Sequence, residues 1–281
     1  LMIERLEKEQ ADTPPRVRRQ LLATSLKLTP TMMPDVHATV ELCRQRLGVE
    51  IPLEIYLYPS ATFNAACVKP EEGRLFILLS SSLLEAFTEG ERRFVIGHEL
   101  GHHLYGHHDI PVGSLLGGQS RPGPGLALRL YAWSRYAEIS ADRAGALCVD
   151  DPDDVARSLF RLASGLHRPL GDLRIDEFAD QVDLIEGEGA PGAGAPKSDW
   201  FSTHPFRPLR LKALQLFYGS EFVQPDGKPA AYLEAGVQEL MSLMEPGYLE
   251  DRSEEAEMAR RLLLAGAIAV AAACGGISDA E

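Results

Sequence analysis

The sequence predicts an α+β fold that is mostly helical, and three observations lead to this class. Two short segments before Ser80 have the hydrophobic pattern of strands. From Thr88 onward, apolar residues recur at helical spacing along most of the chain. The 281 residues, 45% of them hydrophobic and 25% charged, are enough to bury a large core. We therefore expect a small sheet covered by several helices.

The first predicted elements are one helix and two strands. Residues 34–47 carry apolar side chains at helical spacing, and Gly48 follows as a common C-terminal signal. Residues 52–58 alternate between aliphatic and polar or aromatic side chains, which is the period of a half-buried strand. An apolar run at 74–79 predicts a second, more buried strand, and the polar residues 69–73 between the two predict a turn.

Helices are predicted for most of the remaining chain. Two segments rich in proline and glycine, 111–125 and 187–197, interrupt them and are expected to be mobile loops, because such composition cannot bury enough apolar surface to stay ordered. We expect one domain over residues 1–250, with the second loop as a flexible linker, and a separate C-terminal segment over 251–281. The predicted helices cover residues 89–106, 125–149, 152–164, 205–218, 229–243 and 253–273.

The motif H-E-x-x-H lies inside the predicted helix 89–106 and is the clearest chemical signal. Its spacing places His98 and His102 on one helix face, where their imidazoles can occupy two corners of a tetrahedral zinc site. Glu99 lies between them and faces the corner left open for water, as a general base requires. The alternative is a helix that buries two histidines without any metal.

A third zinc ligand is expected from the next long helix, because a catalytic zinc ion takes three protein ligands and keeps one open position. Glu138 lies 36 positions after His102, and Asp142 follows one helical turn later on the same face. Glu138 can complete the coordination, while Asp142 can accept the outward N–H of a ligand histidine. The alternative is a pair of acids on a solvated helix face.

Small residues on both helices predict that the helices pack closely. Gly97 and Gly101 each cost about 1 kcal/mol relative to alanine in a helix interior, and a close backbone approach would explain them. Such an approach would bring Glu138 to the two histidines. The second helix offers a matching set of small residues, Ala141, Ala144, Gly145 and Ala146.

Three further histidines, His103, His107 and His108, follow the motif. Positively charged side chains suit a helix C-terminus, and Gly106 marks that end. We therefore expect these histidines to be solvated or to cap the helix. A second metal site is the alternative.

With these residues in hand, the chain resembles the gluzincin zinc metallopeptidases, a group that includes the CAAX prenyl proteases, HtpX and the Oma-type proteases. The resemblance covers residues 60–218 and is carried by SSSLLEAFTEGERRFVIGHELGHHLYGH, YAEISADRAGAL and STHPFRPLRLKAL. It implies a zincin-like fold with a small sheet and an active-site helix, and one zinc ion per chain. It also implies a metalloendopeptidase that hydrolyses protein or peptide substrates.

The resemblance implies further site residues. His204, in a His-Pro pair, would face the zinc ion and stabilise the oxyanion, although Tyr131 or Tyr136 could donate the same hydrogen bond. Asn64 and Ala65 would border the cleft in which the substrate lies extended. The turn that follows is charged where relatives tend to be glycine-rich, so the rim of the cleft is expected to differ.

The chain departs from the integral-membrane members of this group, which carry spanning helices around the zinc motif. The apolar stretch 262–277 is shorter than the ~20 residues that a span requires, so we expect a packed helix and no membrane span in this chain. This departure puts prenyl-peptide and membrane-protein substrates in doubt.

Charge and composition narrow the expected partners and location. A net charge of −13 argues against a nucleic-acid partner, which would require a clustered Lys/Arg surface. The four cysteines form no C-x-x-C pair, which indicates free thiols in a reducing cytosol. Residues 1–19 lack the apolar core of a signal peptide, so a cytoplasmic, bacterial-type location is expected, although the sequence does not begin with Met and a targeting segment could precede it.

A second, weaker resemblance concerns residues 259–281, which are similar to the first helix and turn of a TerB-like domain of the tellurite-resistance type. Gly275 stands where that domain usually has an aspartate. The alternative is a C-terminal helix that packs on the peptidase domain. A second function therefore stays open: a non-catalytic or latent zinc-binding module that recruits a partner through its C-terminal segment.

Overall fold

The chain folds into a small sheet with helices around it, in agreement with the predicted α+β class. The predicted helix at 253–273, with its TerB-like resemblance, lies outside the described residues, as does most of the predicted linker at 187–197. The computed structural model describes residues 17–118, 122–170, 174–188 and 195–245.

Four strands form the sheet: β1 (Leu26–Leu28), β2 (Leu53–Tyr58), β3 (Ala65–Glu71) and β4 (Arg74–Ser80). Their order is β1-β2-β4-β3, so the two predicted strands, β2 and β4, are the central pair and run parallel. The outer strands β1 and β3 are antiparallel to their neighbours. Strand β3 therefore forms one edge of the sheet.

The predicted polar turn between the two central strands is wrong in extent, because β3 occupies most of it. The turn consists only of Glu72 and Gly73, whose φ angles of 50° and 70° suit a two-residue hairpin connection. The pairing is irregular between Val68 and Glu71, which accommodates Pro70 at the sheet edge. A proline within a short, partly polar segment hides the strand period from the sequence pattern.

The helices follow the predicted bounds closely. The helices are α1 (Val17–Thr24), α2 (Pro34–Leu47), α3 (Ser81–Ala86), α4 (Glu89–Leu104), α5 (Val112–Gly117), α6 (Pro124–Leu147), α7 (Pro152–Ser164), α8 (Ile175–Ala179), α9 (Gln181–Glu188), α10 (Lys197–Trp200), α11 (Arg207–Tyr218) and α12 (Ala230–Ser242). Six predicted helices correspond to α2, α4, α6, α7, α11 and α12, and their ends differ from the predicted ones by at most two residues.

The predicted mobile loop at 111–125 is wrong in part, because it contains the short helix α5. Val112 at the start of α5 is buried, so this segment does contribute to the core. Pro124 is the first residue of α6, where its missing N–H would have no partner in any case. The proline and glycine residues of this segment thus mark helix ends as well as loop.

Helix α4, which carries the H-E-x-x-H motif, begins at a capping box. The Thr88 hydroxyl accepts from the Glu91 N–H at 3.3 Å, and the Glu91 carboxylate accepts from the Thr88 N–H at 2.8 Å. Buried Arg161 of α7 donates to both carboxylate oxygens of Glu91, at 3.0 and 3.2 Å. The start of α4 is therefore held by α7, which fixes how the helix presents its later residues.

Both faces of the sheet are covered. On one face, Leu21 of α1 packs with Tyr56 and Phe76. On the other face, Ile96 of α4 packs with Ile77, together with residues of α2. Helix α4 thus lies directly on the sheet, with strand β3 beside it.

None of the helices in the described part of the chain is both long and apolar enough to cross a membrane.

Candidate metal centre

The site lies where α4 crosses α6, and the two backbones approach closely there. A Cβ atom at Gly97 would lie 2.7 Å from Sγ of Cys148 and 3.0 Å from Cα of Gly145. A Cβ atom at Gly101 would lie 2.8 Å from Cβ of Ala144. The predicted close packing of these helices is therefore confirmed, and it sets the carboxylates of α6 against the histidines of α4.

The three predicted zinc ligands come together. Nε2 of His98 lies 3.1 Å from Nε2 of His102, and these atoms lie 3.6 and 3.4 Å from the carboxylate oxygens of Glu138. Ligand atoms about 2.0 to 2.1 Å from a tetrahedral zinc ion are about 3.3 Å apart, so the observed separations match the edges of such a site. His98 and Glu138 are buried, and His102 is half-buried. These side chains fit a divalent metal ion.

Asp142 lies where the sequence predicts it, behind the first histidine. Nδ1 of His98 donates to Oδ1 of Asp142 at 2.9 Å, and Asp142 is fully buried. Because Nδ1 carries this proton, Nε2 of His98 is the free nitrogen that faces the other two ligands.

A buried arginine that the sequence analysis missed holds both carboxylates of α6. Nε and Nη2 of Arg210 donate to the two oxygens of Asp142, at 2.7 and 2.5 Å. Nη1 of Arg210 lies 3.3 Å from Oε2 of Glu138. A signal existed in the sequence: Arg210 lies at helical spacing before Ala213, Leu214 and Phe217, so it occupies the apolar face of its helix.

The charges of the site determine its protonation. Burial would raise the pKa of Glu138, but the hydrogen bond with His102 and the charge of Arg210 hold that pKa well below its usual range. Burial would also raise the pKa of Asp142, and Arg210 lowers it. Burial would lower the pKa of His102, yet the hydrogen bond and charge of Glu138, with the charge of Glu99, raise it. Both carboxylates of α6 are therefore ionised.

Glu99, between the two histidines, contacts the edge strand of the sheet. Its Oε2 accepts a hydrogen bond from the backbone N–H of Cys67 in β3, at 2.8 Å. Glu99 is half-buried, so it is not fully enclosed by the core. Burial, with a smaller effect of the Glu99 charge, raises the pKa of the Cys67 thiol well above its usual value, so this cysteine stays a neutral thiol.

His204 lies beside the metal ligands. Its Nε2 is 3.5 Å from Oε1 of Glu138, and its side chain is 55% exposed. Among the described residues, the ligand atoms that all lie within 4.8 Å of one another belong to His98, His102 and Glu138, and His204 is not part of that group. A hydrogen bond of 2.9 Å joins Nδ1 of His204 to the hydroxyl of Thr203.

The two tyrosines considered in place of His204 lie on α6. Tyr136 precedes Glu138 by two residues, so it leaves the helix on a different side from the ligand. Tyr131 lies seven residues before Glu138, on the same side, and its ring packs edge-on against Phe201 at 5.5 Å.

Asn64 and Ala65 lie at the start of the edge strand β3. Both backbone groups of Asn64 are used by Ser80, whose hydroxyl accepts from the Asn64 N–H and whose own N–H donates to the Asn64 carbonyl, each at 3.0 Å. Ala65 pairs with Leu79 and is half-buried. Their predicted role as substrate contacts stays a prediction.

His107 differs from the expectation of a solvated or capping histidine. It is half-buried, and its Nδ1 lies 2.9 Å from Nδ1 of His102. Its Nε2 lies 3.2 Å from the hydroxyl of Ser140, and its ring packs edge-on against Trp133 at 5.8 Å. Burial, followed by the charge of His102, lowers the pKa of His107 to about 4. The sequence pattern missed this contact because Gly106 turns the chain back toward the site.

Comparison with known proteins identifies the family. The chain matches Peptidase family M48 over residues 30–118 and 124–217. It is 30% identical over 171 residues to the plastoglobule-localized metallopeptidase 48, chloroplastic, of Arabidopsis thaliana, covering 57% of this chain and 49% of the relative. The chain thus spans about half the length of that plant relative.

Bacterial proteins are also similar to this chain. It is 24% identical to the protease HtpX homolog of Moorella thermoacetica, covering 67% of this chain and 74% of the relative. It is 28% identical to the protease HtpX homolog of a Sulfurihydrogenibium species, covering 65% of this chain and 73% of the relative. No solved structure matches the chain. The family match covers the helices that bring together the two histidines and the glutamate, and the chain belongs to peptidase family M48, a family of metallopeptidases.

Proposed function

We propose that this chain is a zinc-dependent endopeptidase in which Glu99 is the general base. The observation that carries the proposal is the convergence of His98, His102 and Glu138 at separations of 3.1 to 3.6 Å, with Glu99 on the same helix. Three ligands leave one position of a tetrahedral ion open, which distinguishes a catalytic zinc site from a structural one. A single zinc ion per chain is therefore expected.

A bound zinc ion would polarise the scissile carbonyl group and acidify a water molecule. Glu99 takes the proton from the attacking water and passes it to the nitrogen of the leaving amine. Because Oε2 of Glu99 accepts from the Cys67 N–H, Oε1 is the oxygen that holds the proton between these steps.

His204 supports the reaction from its position beside Glu138. Its Nε2 faces Oε1 of Glu138 from an exposed position, and its Nδ1 is held by Thr203. From this position Nε2–H donates to the oxygen that becomes negatively charged as the peptide bond is attacked. Tyr131, on the ligand side of α6, is the remaining alternative donor.

The substrate is a protein or peptide that lies extended along the edge strand β3. An edge strand has unpaired backbone groups, and a peptide can add to it as a further strand. Ala65 would contribute such backbone groups, whereas the Asn64 backbone is already bound by Ser80 and leaves only its exposed side chain for contact. This placement carries the scissile bond past Glu99, which the same strand holds.

The substitution Glu99→Gln tests the general base. We expect the variant to bind one zinc ion as the wild type does, and to lose about 10²- to 10⁴-fold in the rate of cleavage of denatured casein. Glu89→Gln is a matched control, since Glu89 lies in the first turn of the same helix and its side chain is 60% exposed. Undiminished cleavage by Glu99→Gln would refute the assignment.

The rival function, a zinc-binding module that recruits partners without catalysis, makes a different prediction for the wild type. It requires bound zinc and no turnover of any peptide in a library. No contact within the described ranges favours it, and the TerB-like segment on which it depends lies outside them. We therefore also propose that residues 1–250 are the peptidase domain. Partner binding through residues 251–281 becomes the favoured function only if the wild type binds zinc and cleaves no peptide of the library.

A further inference from the structure

The histidine that follows the motif helix makes a hydrogen-bonded chain from the second zinc ligand to α6. Gly106, with a φ angle of 66°, turns the backbone after α4 so that the His107 ring returns to the ring of His102. The two rings meet edge-on with centroids 5.0 Å apart. Their Nδ1 atoms are 2.9 Å apart, and Nε2 of His107 lies 3.2 Å from the hydroxyl of Ser140.

The direction of each proton in this chain can be deduced from its far end. The Ser140 hydroxyl donates to a carbonyl of its own helix, that of Ala137 at 2.9 Å or that of Tyr136 at 3.2 Å, so its proton is used within α6. The oxygen of Ser140 must then accept from Nε2–H of His107. The contact between the two Nδ1 atoms takes one proton, and a histidine that binds a metal ion through Nε2 carries its own proton on Nδ1, so Nδ1 of His102 donates and Nδ1 of His107 accepts.

His102 thus matches His98 in the nitrogen that it can offer to a metal ion. With its proton on Nδ1, His102 can bind an ion through Nε2, which lies 3.1 Å from Nε2 of His98 and 3.4 Å from Oε1 of Glu138. Asp142 accepts from Nδ1 of His98 in the same way, so each imidazole is held through Nδ1 and can offer Nε2 to one shared ion.

We propose that His107 is a positioning residue of the metal centre, which holds His102 in the tautomer and ring orientation that a metal ligand requires. The inference rests on the proposed zinc-dependent function. A residue in this place acts through the ligand, in the way that Asp142 acts through His98. The two supports differ in kind: Asp142 accepts through a carboxylate oxygen, whereas His107 accepts through a ring nitrogen.

The test measures zinc affinity and the cobalt(II) absorption spectrum of the full chain. His107→Phe keeps a ring against Trp133 and removes the acceptor, so we expect zinc affinity, measured in competition with a chelator, to fall about 10- to 100-fold. We also expect the d–d bands of the cobalt(II) form to shift. His107→Asn should recover most of the affinity, because the amide oxygen takes the place of Nδ1.

Ser140→Ala removes the far end of the hydrogen-bonded chain and leaves both histidine rings in place. We expect zinc affinity to fall, as in His107→Phe, but by a smaller factor. Ser134→Ala is its matched control, since Ser134 lies on the same helix and its hydroxyl donates to the carbonyl of Leu130, at 3.0 Å. This pair keeps the test valid where His107→Phe does not fold.

The outcomes separate this inference from the proposed function. Equal zinc affinity and an unchanged cobalt(II) spectrum in folded His107→Phe, or equal affinity of Ser140→Ala and Ser134→Ala, would overturn the role of His107 and leave the peptidase proposal standing. A wild-type chain that binds no zinc would overturn both.

Discussion

Arg210 neutralises the two carboxylates on which the site depends. Glu138 and Asp142 are buried, and burial of a carboxylate costs several kcal/mol unless a cation and hydrogen bonds compensate for it. Arg210 supplies both, because its planar guanidinium group binds Asp142 through two nitrogens and still reaches Glu138 with the third. A lysine ammonium in the same place could not make this set of contacts.

We expect Arg210→Met to lower zinc affinity by about 10- to 100-fold. It should also lower the free energy of unfolding by about 3 to 5 kcal/mol, since two buried carboxylates lose their counter-charge. Urea unfolding and zinc competition of the same preparation measure both quantities. Arg46→Met removes an exposed pair with Asp150 and should change stability by no more than about 1 kcal/mol. Unchanged zinc affinity in a folded Arg210→Met protein would contradict this role.

At the scale of elements, the crossing of α4 and α6 determines whether the ligands meet. The ligands of one helix reach those of the other only because glycine and alanine lie at the crossing point, where any larger side chain would separate the axes. Gly145 contributes from the α6 side, because a Cβ there would lie 2.7 Å from the carbonyl oxygen of Phe94. Glycine lowers helix stability at each such position. The close approach that it allows is what brings Glu138 to the two histidines.

Gly101→Ala tests the crossing. The new methyl group would lie 2.8 Å from Cβ of Ala144 and 3.1 Å from Cα of Ala141, so the helices must move apart. We expect the free energy of unfolding to fall by about 1 to 3 kcal/mol despite the better helix propensity of alanine. Zinc affinity should fall as well, because Glu138 moves away from the histidines.

Gly125→Ala, on α6, is the matched control for that substitution. No atom of the residues that the structure describes lies within 4 Å of the Cβ position at Gly125, so alanine there should leave stability unchanged or raise it by up to about 1 kcal/mol. Equal stability of the two variants would mean that the crossing tolerates a methyl group. Close helix packing would then not explain why glycine occupies positions 97 and 101.

The elements that the sequence predicts well are those with a strong local pattern. Helices α2 and α7 and the central strands have apolar periods that need no tertiary contact to be recognised. Strands β1 and β3 escape prediction because β1 has three residues and β3 contains a proline, so neither has a period long enough to be read. Helix α5 escapes for the same reason, since one buried valine within a glycine-rich segment is too weak a signal.

The residues of the site also differ in whether a local sequence pattern predicts them. His98, His102, Glu138 and Asp142 are predictable because each pair is spaced by one helical turn, and helix geometry is local. The contacts of Arg210 and of the Cys67 N–H are not, because they join segments far apart in the sequence. A spacing pattern names the residues that share a face, and only the packed structure says which other face they meet.

At the scale of the whole molecule, the sheet separates the metal centre from a cluster of charges on its opposite face. Glu54 of β2 is 6% exposed and lies at the centre of that cluster. It accepts hydrogen bonds from Lys27 at 2.7 Å, from Arg18 at 3.1 and 3.2 Å and from the Tyr56 hydroxyl at 2.8 Å. These contacts join α1, β1 and β2, so one carboxylate ties the first helix to the sheet.

The protonation of Glu54 predicts how the stability of the molecule depends on pH. Burial would raise its pKa, but the hydrogen bonds from Lys27, Arg18 and Tyr56 lower it from 4.5 to about 2. A carboxyl group whose pKa is lower in the folded state stabilises that state fully above the unfolded value, and the contribution is lost as pH falls toward the folded value. We therefore expect this contribution to be complete above about pH 4.5 and to disappear between about pH 4.5 and pH 2.

A comparison of the wild type with Glu54→Gln isolates the contribution of Glu54. The contributions of Glu138 and Asp142 are the same in both proteins and cancel in the difference. At pH 7 the variant should be less stable by about 1 to 3 kcal/mol, the contribution of hydrogen bonds to a charged group. The difference between the two proteins should narrow steadily below about pH 4.5, because the wild-type carboxyl becomes neutral as the amide already is. Urea unfolding at a series of pH values measures it. A difference that stays constant down to pH 2 would mean that Glu54 is held by packing and not by its charge, and that the first helix is attached to the sheet through its apolar residues alone.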